Sequence, residues 1–159
     1  KDTMGILSRC RDSRIKLIQK LKHKNLDSTI HALNDQAEFS DLKEDEIELV
    51  KGTLRNRDLL YEGLVELEKD EPNNELIGSL FTEHHAVLRD VLKVSTPKIE
   101  SMLDAALDAG ALGGKINGSG GGGCMFAYAP NNSEAIAEAI EKVGGKSYIV
   151  RADEGTIIN

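Results

Sequence analysis

The residues Gly118, Ser119, Gly120, Gly121, Gly122 and Gly123 offer a run of main-chain amides with almost no side chains around them. Such a ribbon suits close contact with a phosphate, because several N–H groups can converge on one anion and no Cβ stands in the way. The run fits the letter pattern of a dinucleotide fingerprint. That fingerprint works only where the glycines open a helix whose N-terminus faces pyrophosphate. Here the apolar run Cys124, Met125, Phe126, Ala127, Tyr128, Ala129 follows, so the glycines open a strand. A Walker-type loop also fails, since Gly110 to Lys115 is one spacer short and Ile116 stands where a Mg²⁺-binding hydroxyl belongs. A tight strand connection is the structural alternative. Yet each glycine weakens the chain by roughly 0.5 to 1 kcal/mol, and four in succession exceed what one turn needs. Close approach to a phosphate, or to a loop of another domain, accounts for the run better.

Lys115 and Asn117 flank the ribbon. Lys115 faces either a ligand cleft or solvent, and Ser119 is either a hydroxyl donor or a small spacer. His84 and His85 are adjacent, and neighbouring helical residues point about 100° apart, so the pair cannot chelate one ion together; packing or a contact between domains is the expected role. Arg55, Arg57 and Arg89 are long cations on helical stretches, either solvated or in contact with another domain. Cys10 and Cys124 show no Cys-x-x-Cys spacing, no paired histidines stand at ligand distance, and no metal site is expected.

Five helices are expected to position these residues. The first carries Leu7, Cys10, Leu17, Ile18 and Leu21 at three- and four-residue spacing after Asp2 and Thr3. A second starts at Asp27 or Ser28 with Ile30 and Leu33. A third runs from Ser40 or Asp41 to before Pro72, with Ile47, Val50, Leu54, Tyr61, Leu64 and Val65 on one face; Gly52 and Gly63 weaken it by about 1 kcal/mol each. The fourth, from Asn73 or Asn74, turns Leu76, Ile77, Leu80, Phe81, Val87, Leu88, Val91 and Leu92 inward, with His84 along the middle of that stripe and His85 at its edge. The fifth has Thr96 as N-cap, Pro97 at its first position and Gly110 as its stop. Strands are expected at Lys115 to Gly118 and Cys124 to Ala129, then a helix capped by Ser133, then strands at Ser147 to Val150 and Thr156 to Ile158 around a turn at Asp153, Glu154 and Gly155. Helices followed by strands make an α+β domain.

At 159 residues the chain suits one domain, able to bury roughly 70% of its unfolded surface. Aromatics are only 4% and Trp is absent, so the core must be aliphatic. A net charge of −7 and the lack of a basic stripe argue against a nucleic-acid partner. No apolar run approaches the ~20 residues of a membrane span. Unpaired cysteines predict a cytoplasmic protein. The chain opens on Lys1, with Met4 inside a helical pattern, and is therefore expected to lack an upstream part.

The stretch GALGGKINGSGGGGC, Gly110 to Cys124, resembles the third conserved motif of the GHMP kinases, the group containing galactokinase, homoserine kinase, mevalonate kinase and phosphomevalonate kinase. Upstream, EHHAVLRDVLKVSTP, Glu83 to Pro97, is similar to a helix-and-turn segment of galactokinases, though these usually carry a small residue where His84 stands. Arg55, Asn56, Arg57 and Glu62 sit where related kinases have an Arg-rich helical stretch and a Glu, and Asp153-Glu154-Gly155 is typical of the superfamily. The resemblance implies a ferredoxin-like C-terminal domain over residues 1–159, helices to about residue 109 packed on a four-stranded antiparallel sheet. It implies that the ATP-binding domain, with the phosphate loop, catalytic Asp and Mg²⁺-holding residues, belongs to a missing N-terminal part, so that no catalytic residue lies in this chain and the chain alone is inactive. ATP, Mg²⁺ and a small-molecule sugar are the implied cofactors and substrate, and Gly118 to Gly123 the implied wall of the nucleotide and substrate cleft, beside the protein's own N-terminal domain.

The leading expectation is a galactokinase-like sugar kinase forming a sugar 1-phosphate. A mevalonate kinase-like enzyme, favoured by the unbroken glycines, and a non-catalytic sugar sensor are the alternatives. A free-standing binding module would instead have a start codon just before Lys1.

Overall fold

The computed structural model describes residues 3–22, 39 and 41–152. The expected helix near Asp27, the turn at Asp153 to Gly155 and the strand at Thr156 to Ile158 lie outside the described residues. Helix α1 spans Thr3–Lys22 and α2 spans Glu44–Leu67. The latter starts later than expected, with Glu44, Asp45 and Glu46 in its first turn, where their charge complements the exposed amides. The Glu46 carboxylate accepts the Lys43 amide at 3.0 Å and pairs with Lys20 of α1. At the other end, buried Glu66 accepts from Lys69 at 2.5 Å and from the Asn73 amide at 2.8 Å. This carboxylate folds the connection back, so α3 can begin at once.

Helix α3, Asn74–Ala86, is capped by Asn73, whose side chain accepts the Leu76 amide at 3.0 Å. It does not simply stop. Residues Val87–Val91 form a π turn, with the Leu92 amide reaching back five residues to the Val87 carbonyl, and Lys93 then takes a left-handed φ of 53°. Helix α4, Pro97–Asp108, has Thr96 as N-cap and Gly110 just past its end, as its cap residues foretell.

Strands β1, Gly113–Asn117, and β2, Cys124–Tyr128, pair antiparallel, with Lys115 opposite Phe126 and Asn117 opposite Cys124. Helix α5, Ser133–Lys142, is the last helix among the described residues; its N-cap is Asn132 in the left-handed region, not Ser133.

Two aliphatic clusters hold these elements. Ile99, Met102, Leu103 and Ala106 of α4 pack on Ile116 of β1 and on Ile136 and Ile140 of α5. Leu17 and Leu21 of α1 meet Val50 and Leu54 of α2. Burying one such side chain stabilises the fold by about 1.5 to 3 kcal/mol.

The expected four-stranded sheet is corrected: among the described residues it has two strands. Ser147 to Val150 is not a strand, and Tyr148, Ile149 and Val150 are exposed: among the described residues no backbone completes a ladder with them. The expected face of α2 is corrected as well. Val50 and Leu54 are buried, but Tyr61, Leu64 and Val65 are 60%, 47% and 63% exposed. Gly52 is a contact rather than a tolerated defect: a Cβ there would stand 2.8 Å from Val91 of the π turn.

Candidate functional site

The ribbon joins the facing ends of β1 and β2. Gly118, Gly120, Gly121 and Gly122 all have φ between 74° and 98°. Gly120 shows why a side chain is barred there, since its φ is 80° and a Cβ would stand 2.7 Å from the Val94 carbonyl oxygen. Gly121 donates its amide to the same oxygen at 2.7 Å. These two glycines are buried, while Gly118, Ser119, Gly122 and Gly123 are exposed. The ribbon is thus fastened to Val94 through Gly121 and exposed on both sides of the buried pair. Ser119 borders a shallow cleft of about 300 Å³, shared with Cys10, Arg11, Arg14 and Ile15 of α1 and with Val94. Asn117 ends β1 on the exposed side.

Lys115 lies on the sheet face. Its ammonium donates to the Ile116 carbonyl at 2.8 Å and stands 5.4 Å from the Phe126 ring centre, and partial burial lowers its pKa. Phe126 and Tyr128 in turn stack edge-on against Phe81 of α3.

The two histidines exchange the places expected for them. His85 is the buried one, 5% exposed, and His84 is half-buried. Gly78 explains the exchange: a Cβ on Gly113 would collide with its carbonyl oxygen, so β1 crosses α3 at Gly78, and seven residues on, two helical turns, His85 shares that face. His85 Nδ1 accepts the Ile116 amide at 3.4 Å and Nε2 meets the Glu100 carboxylate at 3.0 Å. Glu100 also accepts from Ser95 and, at 3.4 Å, from Arg89. Its burial raises the carboxyl's pKa, but Ser95, His85 and Arg89 outweigh that and hold it below the ordinary value. His84 lines a groove of about 490 Å³ between α2 and α3 with Asn56, Leu59, Leu64, Ile77 and Phe81. Desolvation, then the charges of Lys115 and His85, depress its pKa.

The arginines are committed. Arg55 ties α2 to α3, donating to Glu83 at 2.5 and 2.8 Å and to Glu62 at 2.5 Å, which raises its pKa. Arg57 pairs with Asp58, and Arg89 with Asp90 at 2.8 Å. Val94 and Ser95 entered the sequence reading only within the Glu83 to Pro97 segment, without a role, and Glu100 escaped it; an acid in the first turn of a helix is too common a pattern to signal a role.

No group of three His, Cys, Asp or Glu residues able to hold a metal ion occurs among the described residues. The ribbon fits the near approach of a phosphate, having an exposed backbone on either side of its anchor. No helix among the described residues is long and apolar enough to cross a membrane.

The chain thus presents a Gly-rich connector between antiparallel strands, backed by helices on an aliphatic core. Residues 60–146 match the family model "GHMP kinases C terminal", and the chain belongs to that family. It is 45% identical over 101 residues to a mevalonate kinase of Thermococcus onnurineus, covering 58% of this chain and 30% of that protein. A mevalonate kinase of Pyrococcus furiosus is 46% identical over 86 residues, 54% of this chain and 25% of that protein. A galactokinase of Clostridium acetobutylicum is 31% identical over 159 residues, 91% of this chain and 39% of that protein. The chain thus spans 25% to 39% of the length of these relatives. The fold superposes on Lactococcus lactis galactokinase complexed with galactose at a TM-score of 0.70 and 19% identity, over 90% of this chain and 37% of that one.

Proposed function

We propose that this chain is the C-terminal part of a cytoplasmic ATP-dependent kinase that phosphorylates an alcohol group of a small molecule, with residues 118–123 forming a wall of the nucleotide and substrate cleft. The observation that carries the reading is the ribbon itself, fastened through Gly121 and open on both sides, within the region that matches the family. A backbone free of Cβ atoms lets amides reach a phosphate, and phosphoryl transfer is largely a matter of positioning and charge stabilisation. In this reading the catalytic Asp and the residues that hold Mg²⁺ belong to an N-terminal domain outside this chain. Mevalonate is the acceptor we propose first, because the mevalonate kinases match at 45% and 46% identity. That reading replaces the sugar kinase expected from the Leu-Arg-Asp segment. Galactose stands second, on the 91% coverage by a galactokinase.

A kinase assay of the full-length protein with ATP, Mg²⁺ and a panel containing mevalonate and galactose tests both. Turnover of mevalonate over galactose is expected, and the reverse would restore the sugar reading. The 159-residue chain alone is expected to phosphorylate neither, and turnover by it would overturn the proposed division. Gly120→Val in the full-length protein should lower turnover by about a hundredfold, the usual effect of displacing a cleft wall by an ångström; an unchanged rate would reduce the ribbon to a connector.

A further inference from the structure

The glycine ribbon is tied to a turn outside its own sheet. Its anchor is the Val94 carbonyl, in the turn between the π segment and α4, and that turn is built from uncommon parts. The helix ends in a π turn at Val87–Val91, and the residue past its cap, where glycine usually takes the left-handed conformation, is Lys93 with φ 53°. Such features persist where the surroundings enforce them, and they concentrate near functional sites. The next residue, Ser95, donates to Glu100, and Glu100 meets His85 Nε2. His85 Nδ1 then takes the Ile116 amide. In a two-stranded ladder every second amide of β1 points away from β2, and His85 covers one of these. One side chain therefore joins the strand that enters the ribbon to the turn that fastens it.

We propose that His85 is a positioning residue that sets the ribbon, coupling Ile116 at the ribbon's approach to Val94 at its anchor through Glu100 and Ser95. The tautomer follows from the contacts: Nδ1 accepts from an amide, so Nε2 carries the hydrogen and donates to the carboxylate. Glu100 is in turn fixed by Ser95 and Arg89, which leaves the imidazole one orientation. The consequence for catalysis rests on the cleft reading of the ribbon, but the coupling itself can be measured without any phosphoryl transfer.

The test is amide hydrogen exchange on the ¹⁵N-labelled protein, reading Ile116, Gly121 and, as a reference, Leu103 in the α4 core. In His85→Ala both Ile116 and Gly121 should exchange faster by about tenfold, the equivalent of one lost hydrogen bond, with Leu103 unchanged. In His85→Asn the side-chain oxygen replaces Nδ1, and Ile116 should return to within about threefold of the original rate. Faster exchange at Ile116 with Gly121 unmoved would overturn the coupling. So would equal acceleration at Leu103, which would make His85 an ordinary core residue. Should His85→Ala fail to fold, the ring nitrogens of the unaltered protein decide by ¹⁵N NMR: a hydrogen on Nε2 supports the arrangement, and one on Nδ1 overturns it.

Discussion

Neighbouring residues on α3 face two opposite environments. His85 enters a joint in which β1, the π turn and α4 are tied by directed hydrogen bonds, while His84 borders an apolar groove with Leu59, Leu64, Ile77 and Phe81. The joint fixes geometry, because each polar group in it has a partner at a set angle. The groove fixes almost none, and Leu60, Tyr61, Leu64 and Leu67 stand exposed along its α2 side. Within one domain the position of the ribbon is thus specified by a few bonds, and the apolar surface of α2 by nothing among the described residues. The two regions should answer differently to substitution.

The largest difference is expected where backbones touch. Gly113→Val drives a side chain into the Gly78 carbonyl and cannot be relieved by a rotamer change, so the loss should exceed about 4 kcal/mol and leave the protein unfolded by circular dichroism. A folded variant would show that α3 can slide off β1. Next comes the core behind the joint: Ile99→Ala, with Ile99 2% exposed, should cost about 2 to 5 kcal/mol in urea unfolding. Leu64→Ser in the groove should change the same midpoint by no more than about 0.5 kcal/mol. Equal losses at the two sites would mean that the groove is as firmly packed as the core.

How much of this was legible depends on the range of the physics involved. Thr96, Pro97 and Gly110 mark α4 within a few residues, and the structure keeps those ends. The periodic face of α2 failed beyond Leu54, because periodicity reports which residues are apolar and not whether a partner exists to cover Tyr61, Leu64 and Val65. The strand expected at Ser147 to Val150 failed for a related reason: Tyr148, Ile149 and Val150 have strand-forming types, but a strand exists only with a neighbour. The ribbon itself was readable from its glycines. Its anchor was not, since a hydrogen bond between Gly121 and Val94 leaves no trace in composition, and the partners of His85 lie 15 and 31 residues away. Gly78 was the one local sign that α3 meets a backbone on the His85 side.

Acid should separate the regions by pH. In the joint, Glu100 has a lowered pKa, so its contribution is complete above the carboxyl's ordinary 4.5 and disappears as pH falls through the lowered folded value. Urea midpoints from about pH 6 to 3 should fall less steeply in Glu100→Gln than in the original protein, the remaining slope belonging to Glu46, Glu66, Glu83 and Asp90, whose pKa values are lowered too. An unaltered slope would detach Glu100 from the joint's stability.

The groove should respond earlier and more weakly. A histidine with a depressed folded pKa is protonated more readily in the unfolded chain, so the stability it contributes is present above its ordinary 6.5 and is lost as pH falls from there toward the folded value. Solvent screens a half-exposed ring, which holds the effect to on the order of 0.5 kcal/mol between about pH 7.5 and 5.5. His84→Gln should flatten that window and leave the acid limb of Glu100 in place. Were the variant to shift both limbs together, the separation between an ordered joint and an unspecified groove would not hold.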